Sequence, residues 1–182
     1  MEELRQMALA YHAASDEEAR ELMAEFFNAM DPDRKGYVRF EEFTEYMRLL
    51  GHARMSSENF FDELKENSSP AARVEHLEAV EVLTLYYIIK SGRPFCDGHC
   101  GSFIKGNYFT CLKCLDNHGT CSFNVCPQCV VGRAYVHDYD HTEFVDPFAL
   151  LHSRKMERFG DRLVGVAPKV RTHLKTRFLK FV

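Results

Sequence analysis

The sequence predicts an α+β chain, helical over its first half and built of short strands and tight turns over its second. Between residues 2 and 90, apolar residues recur at intervals of three and four, the period of a helix face. Between residues 96 and 141, six of the seven cysteines fall into three close pairs and two histidines follow them. Ser91, Gly92, Arg93 and Pro94 separate the two regions with a breaker. The organisation expected is a short N-terminal helix over 1–14, a helical pair over 15–90, a cysteine-rich module over 94–147 and a basic tail over 148–182.

The cysteine-rich stretch reads as a metal scaffold. Cys96 and Cys100 lie in CDGHC, Cys111 and Cys114 in CLKC, Cys126 and Cys129 in CPQC, and His137 and His141 in HDYDH. Two residues between thiolates let a tight turn point both sulfurs at one ion, and four such ligands complete a tetrahedral zinc shell. Eight ligands therefore call for two zinc ions. A disulfide framework suits secreted chains, but this N-terminus is acidic and polar, without an apolar signal core, and the cysteine count is odd. A redox dithiol would need one pair beside a βαβ pattern. A catalytic zinc keeps one position open for water, whereas here enough ligands exist to close both shells.

Composition is that of a globular chain of one or two small domains. The longest nearly apolar run, Ala79 to Ile89, is too short to span a bilayer and carries Glu81, so no transmembrane segment is expected. The net charge of −4 hides an asymmetry, with residues 1–90 at −9 and residues 152–182 at +7.

In chain order, Leu4, Met7, Ala8 and Tyr11 share one face of a helix over Glu2–Ala14. Ser15 and Glu18 fit a capping box that would start a second helix, with Leu22, Phe26, Phe27 and Met30 on its inner face. DPDRKGYVRFEE, residues 31–42, then follows the twelve-residue frame of a calcium loop. Asp31 stands at position 1, Asp33 at 3, Gly36 at the sharp turn, Tyr37 offering its carbonyl at 7, Val38 at 8 and Glu42 at 12. Phe43, Tyr46, Met47 and Leu50 continue as a helix facing the entering one.

This helix, loop and helix resemble the EF-hand family over roughly residues 15–90. The loop departs from the pattern at position 5, which is Lys35, and at position 9, which is Arg39. Lysine has no acceptor atom. Two readings stand: one calcium held weakly by Asp31, Asp33, Glu42 and the Tyr37 carbonyl, or a loop kept for its shape and short strand. EF-hands come in pairs, and a second, eroded one is expected over 65–78. Phe60, Phe61 and Leu64 would form its entering helix, Val74 its strand residue paired with Val38, and Glu78 its final ligand. Pro70 and Ala72 stand where its glycine turn belongs, and it lacks early carboxylates, so it should bind no calcium.

Past the breaker, Phe103, Ile104, Tyr108, Phe109 and Thr110 are β-prone around Gly106 and Asn107, which suggests a hairpin before the second knuckle. So small a module buries too little apolar surface alone, and zinc would supply its folding energy. The order of the pairs, the glycine after Cys100, the aromatic strand before CLKC and the trailing histidines resemble a ZZ-type zinc finger. An EF-hand pair followed by a ZZ finger is similar to a group of small plant proteins, with a ββα-like, cross-braced zinc module. The resemblance implies a crossed arrangement, with Cys96, Cys100, Cys126 and Cys129 on one zinc and Cys111, Cys114, His137 and His141 on the other. Three departures are visible. CDGHC has one extra residue between its cysteines, which makes His99 a rival to Cys100; the segment after Cys114 is longer and carries Cys121; and Asn124 replaces an aspartate.

Many ZZ fingers bind the positively charged first residue of a peptide through acidic side chains; the resemblance implies by position that Asp97 and Asp116 match two of those acids, and Asn124 stands in place of the third. The plainer reading is that Asp97 and Asp116 cap turns. In the tail, Pro168 could open a basic amphipathic helix along Val170, Leu174, Phe178 and Phe181. Such a helix suits acidic membranes, nucleic acid or acidic proteins, and docking on the chain's own acidic half is the alternative. The reading reached is a non-enzymatic adaptor, cytoplasmic or nuclear, holding two zinc ions and at most one calcium and binding a protein or peptide partner. The competing readings are a zinc-finger ubiquitin ligase component and a nucleic-acid binder acting through the tail.

Overall fold

The computed structural model describes residues 1–65, 75–116 and 122–162, with side chains through residue 155. Within these it is a mixture of helices and two small antiparallel sheets, consistent with an α+β class. The chain divides into two compact units, Met1–Cys96 with Gly101–Gly106, and Asp97–Cys100 with Asn107–Val182.

In the first unit, α1 (Glu2–Ala14) buries Leu4 and Ala8 but leaves Met7 exposed, so the inner face is narrower than its apolar residues suggest. Ser15 ends this helix, its Oγ donating to Tyr11 O at 2.7 Å. The cap of α2 (Glu17–Met30) is therefore Asp16, whose Oδ1 accepts from Ala19 N at 2.9 Å, and the expected Ser15 capping box is corrected by one residue. A carboxylate one step nearer the helix outcompetes a hydroxyl that is already used. After the loop come β1 (Val38–Arg39) and α3 (Phe40–Leu49), then a 3₁₀ turn at Ala53–Met55 and α4 (Glu58–Lys65). The sharp turn of the loop falls on Gly36 at φ +86°, a left-handed conformation that glycine adopts without steric cost.

β2 (His76–Leu77) leads into α5 (Ala79–Lys90), and β1 pairs antiparallel with β2. The register is Val38 with Leu77 and Arg39 with His76. The expected pairing of Val38 with Val74 is thus corrected to Leu77; Pro70, Ala72 and Val74 themselves lie outside the described residues. The same shift replaces Glu78 by Glu81 as the counterpart of Glu42. Glu42 Oε2 accepts from Arg39 N at 2.8 Å, and Glu81 Oε2 accepts from Glu78 N at 2.9 Å, so both exit helices start in the same way. Counting back from Glu81 by the offsets of the first loop puts Pro70 at position 1 and Ala72 at position 3, neither with a side-chain oxygen.

The core of this unit is aromatic and aliphatic. Phe43, Met47, Phe60, Phe61, Leu64, Val82, Leu85 and Ile88 are all buried in one cluster with Val38 and Leu77. Phe60 meets Phe95 and Phe103 at ring separations of 5.7 and 5.0 Å. Phe95 and Phe103 form an isolated antiparallel bridge. The β-prone run 103–110 is therefore not the expected hairpin. Phe103 is buried in the helical core, Ile104 is buried as well, and the strand forms further on. Burial of Phe103 and Ile104 outweighs a short hairpin, which has little stability by itself.

The second unit is built on β3 (Phe109–Cys111), flanked antiparallel by β4 (Asn124–Val125) and β5 (Phe144–Val145). Two single-turn helices, α6 (Leu112–Asp116) and α7 (Pro127–Val131), follow β3 and β4. The longer α8 (Pro147–Arg162), which periodicity did not reveal, starts with Asp146 Oδ1 accepting from Phe148 N and Ala149 N. The tail positions from Pro168 onward lie outside the described residues.

Candidate metal centres

Each Cys-x-x-Cys pair uses the same local device. Cys111 ends β3 and Cys114 lies one helical turn on, in α6. Cys126 is the N-cap of α7, with Pro127 in its first turn and Cys129 three residues further. A strand end followed by one turn of helix puts both sulfurs on the same side. Val130 N donates to Cys126 O at 3.1 Å and fixes that turn.

The chain brings these residues into two quartets. Cys96, Cys100, Cys126 and Cys129 form one, Cys111, Cys114, His137 and His141 the other, and within each the ligand atoms lie within 4.8 Å of one another. First and third pairs are together, as are second and fourth. Cys100 belongs to its quartet and His99 does not; the backbone of His99 donates to Ala134 O at 2.8 Å. Cys121 lies outside the described residues, and the six described cysteines are not disulfide-bonded.

Whether zinc suits these quartets is a matter of edge lengths. Zn–S bonds near 2.3 Å and Zn–N bonds near 2.05 Å at tetrahedral angles imply about 3.8 Å between sulfurs, about 3.5 Å between sulfur and nitrogen and about 3.3 Å between nitrogens. Cys100 Sγ and Cys126 Sγ are 3.8 Å apart. In the second quartet Cys111 Sγ lies 3.6 Å and Cys114 Sγ 3.3 Å from His141 Nδ1, Cys114 Sγ lies 3.3 Å from His137 Nε2, and the two nitrogens are 3.2 Å apart. A disulfide would need sulfurs about 2.05 Å apart. The donor sets therefore fit two closed zinc shells, one all-thiolate and one of two thiolates and two imidazoles.

The surroundings orient the ligands. His137 stacks on Phe123 at 3.9 Å and 10°, beside Phe144, so its ring plane is fixed by aromatic contact. His141 turns Nδ1 to the quartet and Nε2 toward Asp138 and Asp140, each 3.9 Å away. Acidic groups behind an imidazole favour a ligand able to share charge with a cation. Lys113 bonds Asp140 at 2.8 Å and holds its carboxyl below the ordinary range. Burial, together with the neighbouring Cys111, pushes the Cys114 thiol up. A divalent ion reverses that balance and takes the thiolate outright.

One residue of this site escaped the motif reading. A Cβ on Gly98 would meet Ala134 O at 2.8 Å, Cys129 Cβ at 2.9 Å and Cys129 Sγ at 3.0 Å. The extra residue in CDGHC has a matching explanation. Asp97 N donates to Asn124 O at 2.7 Å while Asp97 Oδ2 accepts from Asn124 N at 2.8 Å, and His99 N is tied to Ala134 O. The three intervening residues are used to fasten the knuckle to β4 and to the chain after α7.

The remaining candidate residues are less uniformly placed. Asp97 is bonded as above; Asn124 is 7% exposed, its amide donating to Ser122 O and Oγ; Asp116 is exposed at the end of α6. Asp31, Asp33 and Glu42 do converge, but around the ammonium of Lys35. Tyr37 lies under both Lys35 and Arg39, and its hydroxyl accepts from Arg39 Nη2 at 3.2 Å. Among the described residues, no helix is long and apolar enough to cross a membrane. Comparison with protein-family models, with curated proteins and with solved structures finds no match to this chain.

Proposed function

We propose that this chain is a non-enzymatic interaction module, an EF-hand-like helical pair followed by a ZZ-type finger whose fold is set by two zinc ions. The observation that carries the reading is the pair of quartets, each with its ligand atoms within 4.8 Å of one another, drawn crosswise from four points of the chain. Closed shells leave no metal position for a reacting water, which favours a scaffold over a zinc hydrolase. Thiolate ligands also suit a reducing compartment, cytoplasmic or nuclear.

The partner best suited to this module is a protein presenting a free, positively charged N-terminus. Asp116, exposed at the end of α6, supplies a carboxylate for an α-ammonium group, with Asp97, whose Oδ2 already accepts from Asn124 N, in a supporting role. Asn124 is left out of that role, because its amide is engaged with Ser122 in a nearly buried position. Fluorescence anisotropy with the zinc-loaded full chain tests the reading. Labelled peptides with free N-termini should bind, and N-acetylated copies of the same peptides should not. Equal binding of both forms, or binding that Asp116→Asn leaves unchanged, contradicts it.

A further inference from the structure

The acids of loop 31–42 already enclose a cation, and the chain supplies it. Lys35 Nζ lies 3.0 Å from Asp31 Oδ1, 2.8 Å from Asp33 Oδ1 and 2.6 Å from Glu42 Oε1. An ammonium has three N–H donors, and here three carboxylates accept them, one from each acid at positions 1, 3 and 12 of the frame. The side chain of Lys35 is 13% exposed and that of Asp31 2%, whereas Asp33 at 64% and Glu42 at 26% keep the outer side of the cluster open to water. Backbone groups complete it. Asp31 also accepts from Lys35 N at 3.1 Å and from Gly36 N at 2.8 Å, and the second oxygen of Glu42 accepts from Arg39 N.

The glutamate at the matching end of the partner loop is also held by a cation of the chain. Glu81, the counterpart of Glu42, holds Arg5 of α1, with Nη1 2.9 Å from Oε1. Arg5 Nη2 donates to Leu64 O at 3.1 Å, at the end of α4. In both loops the glutamate that would close a calcium shell is thus engaged by a cation of the chain. One comes from inside the loop and one from the N-terminal helix.

We propose that loop 31–42 is a self-occupied cation site, in which the Lys35 ammonium takes the place of a divalent ion and the loop closes without calcium. Calcium needs six to eight oxygens at 2.3 to 2.6 Å. It could take Asp31, Asp33 and Glu42 only by expelling an ammonium tethered two to seven residues away in the same loop. Tethering makes the competitor intramolecular, at an effective concentration of about millimolar or more, above the calcium levels to which sensor loops respond. The electrostatics agree with the geometry. Burial raises the Asp31 carboxyl, but the Gly36 N–H and Lys35 outweigh it and bring it to about 2. Burial likewise works against the Lys35 ammonium, and its bonds to Asp33, Glu42 and Asp31 more than reverse this, holding it above the ordinary lysine value.

Native mass spectrometry of the zinc-loaded full chain at about 1 mM calcium, the loosest range of natural oxygen-ligand sites, tests the proposal. Wild type should carry no calcium and should melt at the same temperature with calcium as with a calcium chelator. Lys35→Ser removes the ammonium and offers a hydroxyl at position 5, so it should take up one calcium, and calcium should raise its melting temperature. Adding Glu42→Gln to that variant should abolish the uptake and so locate the ion. Calcium bound by the wild type, or a folded Lys35→Ser chain that takes none, overturns the proposal. Should Lys35→Ser not fold, Lys35→Gln, which keeps more of the stem and offers an amide oxygen, carries the same expectation, and the wild-type count decides in either case.

Discussion

Replacing Gly98 by alanine isolates the packing of the first metal quartet from its ligands. Gly98 does not have the left-handed backbone of Gly36 or Gly101, so alanine adds no conformational strain there. Its methyl would sit 2.8 Å from a backbone oxygen and 2.9 Å from Cys129 Cβ, neither of which can swing aside, and 3.0 Å from the sulfur itself. Relief requires Cys129 or the chain at Ala134 to shift by about 0.5 Å, and overpacking of that order costs about 1 to 3 kcal/mol. At 1.4 kcal/mol per factor of ten, the quartet containing Cys129 should hold its zinc about ten- to a hundredfold more weakly. The quartet of Cys111, Cys114, His137 and His141 should be unaffected. Titration with a chromogenic chelator reads both sites, and the variant should release one zinc early and the other at the wild-type concentration. Gly106→Ala, whose added Cβ meets nothing within 4 Å, is the control. Two zinc ions held by Gly98→Ala as tightly as by wild type would refute the steric argument.

Other outcomes follow from the same geometry. Chelating the zinc should strip amide protection from Phe109–Cys111 and Asn124–Val125 while α3 and α5 keep theirs, as hydrogen exchange would report; equal loss in all of them contradicts a metal-built second unit. Arg5→Ala leaves the Glu81 carboxylate buried without its guanidinium, so the urea midpoint should fall by the equivalent of about 3 kcal/mol, with partial recovery in Arg5→Ala with Glu81→Gln. Asp31 titrates at about 2 in the folded chain against 3.8 ordinarily; its contribution to stability is therefore present above about pH 4 and lost as pH falls through 2. Carbon-13 NMR of its carboxyl should show that depressed midpoint in wild type and a higher one in Lys35→Ser, and a wild-type midpoint near 4 would remove the ammonium from the account.

What could be read from the sequence was local. The period of Leu4, Ala8 and Tyr11 placed α1 at Glu2–Ala14, and the breaker at Ser91 to Pro94 ended α5 at Lys90, because helix faces and stop signals lie within a few residues of what they control. Cysteine spacing gave the ligand types, since a knuckle is a single turn of chain. Non-local balances were not legible. Val38 finds Leu77 rather than Val74 because register is set jointly by two loops and the core beneath them, and Glu81 moved with it. Phe103 left its expected hairpin for Phe60 and Phe95, a choice made by burial rather than by β-propensity. Gly98 carried no signal beyond lying in a glycine-containing knuckle, since the atoms that demand it, in Cys129 and Ala134, are more than thirty residues away. Lys35 was visible as a departure from a ligand pattern, but only coordinates reveal its ammonium among the acids.

Cadmium-113 NMR of the full chain, with cadmium exchanged for zinc, tests the central claim most directly, because couplings through each metal identify its own ligands. Two resonances are expected, one coupled to the β-protons of Cys96, Cys100, Cys126 and Cys129, the other to Cys111, Cys114 and the rings of His137 and His141. A single bound ion, or Cys96 and Cys100 sharing a resonance with Cys111 and Cys114, would contradict it.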